Sequence, residues 1–204
     1  MQAAAEIGNR SLDNKILKAT EDPDESVAKI AKSVVKQLKI MPATKDSTPK
    51  ISTLSVEEAI AQVVSTRGEV AHGKEVFAKA NCGACHTVRQ DEVQKGPYLG
   101  TIAKTYKRPE LTVAVLEPSK TIAQGFITNL ILTKDGEVRS GFVTNELTDR
   151  VTIRDQKGSE ITVMKDEIEE RKTSPTSVMP TGVMNEFTTH DLASLIDYLE
   201  SLVP

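Results

Sequence analysis

Apolar residues recur at helical spacing towards both ends of the chain and at strand-like spacing in between. Val27, Ile30, Val34 and Leu38 follow one another in steps of three and four, which predicts an amphipathic helix running to Ile40. Asp22-Pro23-Asp24-Glu25 supplies its start, with Asp22 as N-cap, Pro23 at the first helical position and Glu25 closing a capping box. Ile7, Leu12, Ile16 and Leu17 predict an earlier partner helix. Residues 1–50 therefore read as an α-helical hairpin and a linker, the latter spanning 42–49.

Three more helices are framed further on. Ser55 caps the first and Glu58 completes its box; Ile60, Val63 and Val64 face inward, and Gly68 ends it. The second covers residues 69–81, with Gly73, Phe77 and Ala80 on one side and no side chain at Gly73 to hold a neighbouring helix away. The third covers residues 191–202. There Leu192, Leu195, Ile196, Leu199 and Leu202 form the stripe, Tyr198 adds an aromatic contact, and Thr188 or Thr189 is the cap.

Residues 126–172 have a different character. Ile127 to Leu132 partly alternates and runs into Asp135-Gly136, a strong hairpin signal. Strands are expected at 138–146, 151–153 and 161–163, with Gly141 at a bulge, forming a small antiparallel β-sheet or barrel.

Composition narrows the class. The 204 residues include no tryptophan and only 3% aromatics, and the net charge is -3. No Lys/Arg stripe with interleaved aromatics is present, which argues against nucleic acid as a partner. Neither an 18-residue apolar run nor a secretory signal pattern occurs, so no membrane span is expected.

The chemistry concentrates in Cys82-Gly83-Ala84-Cys85-His86. Two thiols three apart followed at once by histidine serve covalent haem attachment: the thiols add across the porphyrin vinyl groups and the imidazole takes the proximal position on iron. Cys-x-x-Cys also marks zinc knuckles and redox dithiols. A structural zinc wants four ligands, and the chain offers two cysteines and three histidines (His72, His86, His190) with no second pair at ligand spacing. A redox dithiol normally opens a helix after a strand, whereas a helix is expected ahead of this motif. Zinc, a dithiol and a disulfide stand as the lesser readings. One haem c would also supply the large flat apolar mass that the aromatic-poor composition lacks.

Gly73 and Phe77 ahead of the motif, Gly96-Pro97-Tyr98-Leu99 after it, Ser177-Val178-Met179-Pro180 and the terminal Tyr198-Leu199 together resemble the class I cytochrome c family. The resemblance implies a mainly α cytochrome c core from residues 51–125 and 173–204, interrupted by the β insertion at 126–172. It implies that the Pro97 carbonyl accepts a hydrogen bond from His86, that Leu99 belongs to the haem-binding turn, and that Met179 is the sixth iron ligand. Met184 is the rival for that role and is expected in the core instead. His190 is the bis-histidine alternative, although both His72 and His190 are expected as solvent-facing positions near helix starts. With Leu116-Glu117-Pro118-Ser119, Phe126, Asp135-Gly136, Gly141, Arg154-Asp155 and Ile168 added, residues 55 onward resemble the planctomycete-type haem-binding domain. Members of that family often follow HEAT-like repeats and a dehydrogenase-like propeller, and residues 1–50 resemble one HEAT-type repeat.

The function so implied is outer-sphere electron transfer through a haem with His86/Met179 ligation, rather than catalysis. Ser177, Asp191 and His190 lie near one another in sequence but make no convincing triad. The competing class is a haem enzyme or gas sensor with an open or displaceable sixth position; a third is a docking module that pairs two copies through the β insertion into a homodimer. The expected partner is a redox protein or a dehydrogenase domain of a larger chain. Lys74, Lys79, Lys95, Lys104 and Lys107 surround the haem-binding half as a solvated face that could dock it. Because covalent haem attachment takes place outside the cytoplasm, a periplasmic or otherwise extracytoplasmic location is expected, with the chain a fragment or a processed product.

Overall fold

The computed structural model describes residues 10–38 and 48–202. The chain divides into two units, Met1–Thr48 and Pro49–Pro204. In the first, α1 (Arg10–Ala19) and α2 (Glu25–Leu38) pack as a hairpin. The start of α2 corrects the expected cap. Asp22 Oδ1 accepts from the Asp24 N–H at 3.0 Å, which holds the chain in a turn, and Asp24 Oδ1 accepts from Ser26 N–H at 2.8 Å. Asp24, two residues later than expected, is therefore the cap. Ala31 is buried, whereas Val27, Ile30 and Leu38 of the stripe are exposed. Ile7, Ile40 and most of the 42–49 linker lie outside the described residues.

The second unit holds α3 (Val56–Ser65), α4 (Val70–Lys79), α5 (Ile102–Thr105), α6 (Arg108–Leu116) and α7 (Thr189–Ser201), with five strands between α6 and α7. The capping box at α3 forms as expected: Ser55 N–H donates to Glu58 Oε2 at 2.9 Å and Glu58 N–H to Ser55 Oγ at 3.2 Å. The helix ends at Ser65, and Val64 is exposed rather than inward. Gly68 has a different task. A Cβ there would stand 2.3 Å from Ser194 Cα, so the missing side chain lets this turn close on α7.

The same closeness governs the packing of α4 on α7. A Cβ at Gly73 would lie 1.9 Å from the Ser194 carbonyl oxygen and 2.8 Å from Tyr198 Cβ. One turn further on, Phe77 meets Tyr198 edge-to-face, with centroids 5.6 Å apart. Around this crossing, Leu192, Leu195, Ile196 and Leu199 are buried together with Val63, Val76 and Leu111. Each such side chain contributes roughly 1.5–3 kcal/mol before its ordering entropy is counted.

A buried charge ties α6 to the same helix. Arg108, 8% exposed, donates to the carbonyls of Thr66 at 2.7 Å, Ala193 at 3.2 Å and Val63 at 3.3 Å. It also pairs with Asp197 at 2.5 Å and Glu200 at 2.8 Å. Pairing on this scale is what a buried guanidinium requires.

The strands β1 (Thr128–Thr133), β2 (Val138–Glu146), β3 (Arg150–Arg154), β4 (Glu160–Met164) and β5 (Ile168–Thr173) form one antiparallel sheet in the order β4-β3-β2-β1-β5. The sheet is open and not a barrel, since β4 and β5 are its two edges and do not pair. Its own small core is Ile131, Val151, Ile153 and Val163. The expected hairpin forms at Gly136, whose φ of 86° supplies the left-handed turn position. Gly141 is not a bulge: it pairs regularly with Asn129, and the irregularities fall between Leu132 and Thr133 and between Val143 and Asn145. A Cβ at Gly141 would sit 2.4 Å from the Arg154 carbonyl oxygen, so close backbone approach explains the glycine. β5 was not expected as a strand, because Ile168-Glu169-Glu170-Arg171-Lys172-Thr173 shows no apolar alternation. It is tethered through polar side chains, with Arg171 donating to Asn129 Oδ1 at 2.9 Å and to Glu146 at 3.0 Å. Hydrogen bonds from Arg171 and Lys165 hold the Glu146 carboxyl down to about 2.

Two substitutions test these contacts. Arg108→Ala removes the buried cation that pairs with Asp197 and Glu200 and the donors to three carbonyls, and is expected to cost about 3–5 kcal/mol in denaturant unfolding, with Arg108→Lys recovering only part. Gly73→Ala forces α4 off α7 and is expected to abolish cooperative unfolding.

Candidate functional site

α4 delivers the cysteine motif. Beyond its end Asn81 takes φ 57°, the one non-glycine in the left-handed region among the described residues, and asparagine tolerates that region better than most. The reversal starts a tight turn over Cys82–Ala84, closed by Cys85 N–H to the Cys82 carbonyl at 3.3 Å and His86 N–H to the same oxygen at 2.9 Å. Both thiols and the imidazole thus project from one short turn. Cys82 is half-buried and Cys85 exposed, and neither is in a disulfide. Burial pushes the Cys82 thiol above its ordinary value, opposed in part by its own backbone N–H.

His86 is oriented by a single bond. Its Nδ1 lies 2.8 Å from the Pro97 carbonyl oxygen; a carbonyl only accepts, so Nδ1 carries the proton and the Nε2 lone pair is left for a metal. Gly96 makes this approach feasible, since a Cβ there would come within 3.1 Å of the Cys85 carbonyl oxygen. Burial pushes the imidazole below its ordinary 6.5, with the Pro97 bond opposing, so the ring is held neutral, the form that ligates metal. Leu99 N–H donates to the Thr87 carbonyl at 2.9 Å, and Leu99 packs half-buried on the helical core.

Met179 lies half-buried in the loop before α7. Its N–H donates to Ser177 Oγ at 3.1 Å, and Ser177 N–H donates to Ser119 Oγ at 3.1 Å, so the loop is anchored on the turn that follows α6. Sequence reasoning missed that anchor; Ser119 carries no signal for it beyond its place after Glu117-Pro118. Met184 is 1% exposed and belongs to the helical core.

His72 and His190 are not the solvent-facing positions expected. The His72 side chain is 13% exposed and its Nε2 lies 2.5 Å from Asp191 Oδ1, while the two imidazoles stack with centroids 5.9 Å apart. The crossing of α4 on α7 brings these starts together, which neither helix shows alone. Asp191 is thereby paired with His72 and the Thr188 cap, so no Ser177-His190-Asp191 relay is assembled. Among the candidate docking lysines, Lys79 pairs with Glu75 at 3.6 Å and Lys95 donates to the Ala84 carbonyl at 3.4 Å. A cleft lined by Ile51, Leu54, Val115 and Met184 includes none of Cys82, Cys85, His86 and Met179.

The turn, the free thiols and the Nε2 lone pair aimed away from Pro97 make one donor set. Residues 70–139 match the family model for cytochrome c. The matched segment, about a third of the chain, runs from α4 into β2 and holds Cys82, Cys85, His86, Pro97 and Leu99; Met179 and α7 lie beyond it. No curated protein matches the chain. The match supports the class I cytochrome c resemblance and implies covalently bound haem c and electron transfer. The residues around the Cys82–His86 turn fit that group on their own geometry. Phe77, Leu99, Ile102, Tyr106 and Val183 are only partly buried against the helical core, apolar surface of the kind a flat macrocycle covers. Thr87 Oγ1, next to His86 in sequence, is buried without a hydrogen-bond partner among the described residues. No helix among the described residues is long and apolar enough to cross a membrane.

Two measurements follow from the thiols and the imidazole. In haem-free chain, iodoacetamide is expected to alkylate exposed Cys85 before Cys82, read by peptide mass mapping. His86 has a lowered folded pKa, so its contribution to stability is fully present above 6.5 and is lost as pH falls below it. Haem-free chain is thus expected to lose stability on acidification more steeply than its His86→Gln variant, measured by denaturant unfolding between pH 7.5 and 5.

Proposed function

We propose that this chain is a c-type electron carrier, with thioethers to Cys82 and Cys85 and axial ligation by His86 Nε2 and Met179. The observation that carries the reading is the His86 Nδ1 bond to Pro97, which fixes the tautomer and ring plane and leaves one nitrogen free beside two unpaired thiols. Bound there, haem c supplies a one-electron ferric/ferrous couple.

The protein's part is to hold. The tight turn keeps both sulfurs at fixed spacing, Pro97 maintains the basicity of the proximal nitrogen, and the Ser119–Ser177 anchor keeps the Met179 thioether in a loop that Pro180 stiffens. A soft sulfur ligand favours ferrous iron and raises the potential relative to bis-histidine ligation. Held by the His86 imidazole and the Met179 thioether, a haem would change little between oxidation states, which would suit outer-sphere transfer and calls for no general base. The partner is a redox protein or a dehydrogenase domain, met outside the cytoplasm where haem c is attached.

The visible spectrum of chain produced with haem-attachment machinery tests this. Wild type is expected to be low-spin, ferric and dithionite-reduced, with the weak far-red band of thioether on ferric iron. Met179→Ala is expected to lose that band and turn high-spin, and Met179→His to restore a low-spin spectrum at a lower potential. A band unchanged in Met179→Ala would move the ligand elsewhere. High-spin wild-type iron would replace the carrier with a haem enzyme or sensor.

A further inference from the structure

The α4–α7 crossing gathers two imidazoles and a carboxylate that the electron-transfer reading does not use. One ligand atom from each of His72, His190 and Asp191 lies within 4.8 Å of the other two, and all three residues are half-buried. They come from two helices far apart in sequence, so their meeting is a product of the fold. The carboxylate is already aimed: Asp191 Oδ2 accepts from Thr188 N–H at 2.9 Å and Thr188 Oγ at 2.8 Å, which turns Oδ1 towards His72. A capping box explains Oδ2, and His72 explains Oδ1. Neither explains the second imidazole, stacked on the first at an interplanar angle of 29°. Two imidazoles and a carboxylate are a donor set for a borderline divalent ion.

We propose that His72 Nε2, a ring nitrogen of His190 and Asp191 Oδ1 form a site for a divalent first-row transition ion such as Zn²⁺, separate from the haem-binding turn. His72 precedes the end of α4 by about 10 Å of helix rise, and none of the three residues is among the haem donors. In the structure His72 Nε2 and Asp191 Oδ1 stand 2.5 Å apart as a hydrogen-bonded pair. Two donors on a tetrahedral ion at ~2.0–2.1 Å stand about 3.3 Å apart, so replacing the bridging proton by the ion requires less than about 1 Å of side-chain opening. Glu75 Oε2, 3.9 Å from His72 Nδ1, is one side-chain adjustment from holding the other ring nitrogen, the usual outer partner of a ligating histidine. Water completes the coordination. Because the donors belong to both α4 and α7, bound metal staples the crossing on which the helical core is built and stabilises the folded chain.

Titration calorimetry with ZnCl₂ on haem-loaded chain tests the site, since covalent attachment removes the Cys82 and Cys85 thiols as competing ligands. Should haem fail to attach, the same titration on the Cys82→Ser/Cys85→Ser chain answers independently of the carrier reading. One equivalent is expected to bind saturably and to raise the thermal midpoint. His190→Ala is expected to weaken binding more than about tenfold and remove the midpoint shift, and His72→Gln to do the same while circular dichroism confirms a native fold. Absence of saturable one-to-one binding in wild type, or affinity unchanged in both folded variants, overturns the site.

Discussion

The helical core of the larger unit depends on how closely α4 can approach α7. Gly73 and Gly68 both face Ser194 at distances that no side chain could occupy. Ser194 answers with its hydroxyl, which accepts from Glu69 N–H at 3.1 Å and donates to the His190 carbonyl at 2.9 Å. Asp197, one turn on, accepts from Gly68 N–H at 2.6 Å and from Arg108. Two bare backbone positions and three polar side chains thus fix one helix on another, and Arg108 brings α6 to the same place. The apolar side chains around the crossing supply most of the stabilisation, but they would pack in many ways without that constraint.

The Cys82–His86 turn inherits its place from this crossing. Once the α4 axis is set, the left-handed Asn81 and the turn at Cys82–Ala84 determine where the thiols emerge, and the Pro97 carbonyl determines how His86 is rotated. The chemistry is local, within sixteen residues of sequence from Cys82 to Pro97. The second candidate ligand is not: Met179 reaches the domain through the Ser177–Ser119 contact, across the whole length of the sheet insertion.

The sheet keeps its own core, yet it is not isolated from the half that carries the cysteine motif. Arg154 donates to the Gln94 carbonyl at 3.2 Å, and the β3–β4 turn at Gly158 comes within 2.9 Å, measured from a Cβ position, of Val93 Cγ1. The loop between His86 and Pro97 therefore rests on the end of a hairpin inserted downstream. The charged edge strand β5 discourages pairing with other strands, leaving β4 as the less charged edge.

What the sequence alone determined was whatever is encoded over a few residues. The Cys82–His86 spacing, the capping box at Ser55, a cap at Thr188 or Thr189 and the Asp135-Gly136 turn are local chemistry and were legible, and the first strand of the hairpin showed partial alternation. Tertiary structure decided the rest. β5 has no apolar period because polar side chains and an edge position hold it, and the open sheet rather than a barrel depends on pairing between strands distant in sequence. The glycines at 68, 73 and 141 are read correctly only when the opposing backbone is seen. His72 and His190 looked like two solvated positions near helix starts; only the crossing of α4 on α7 sets them beside Asp191, because contacts between distant residues leave no periodic trace in the chain.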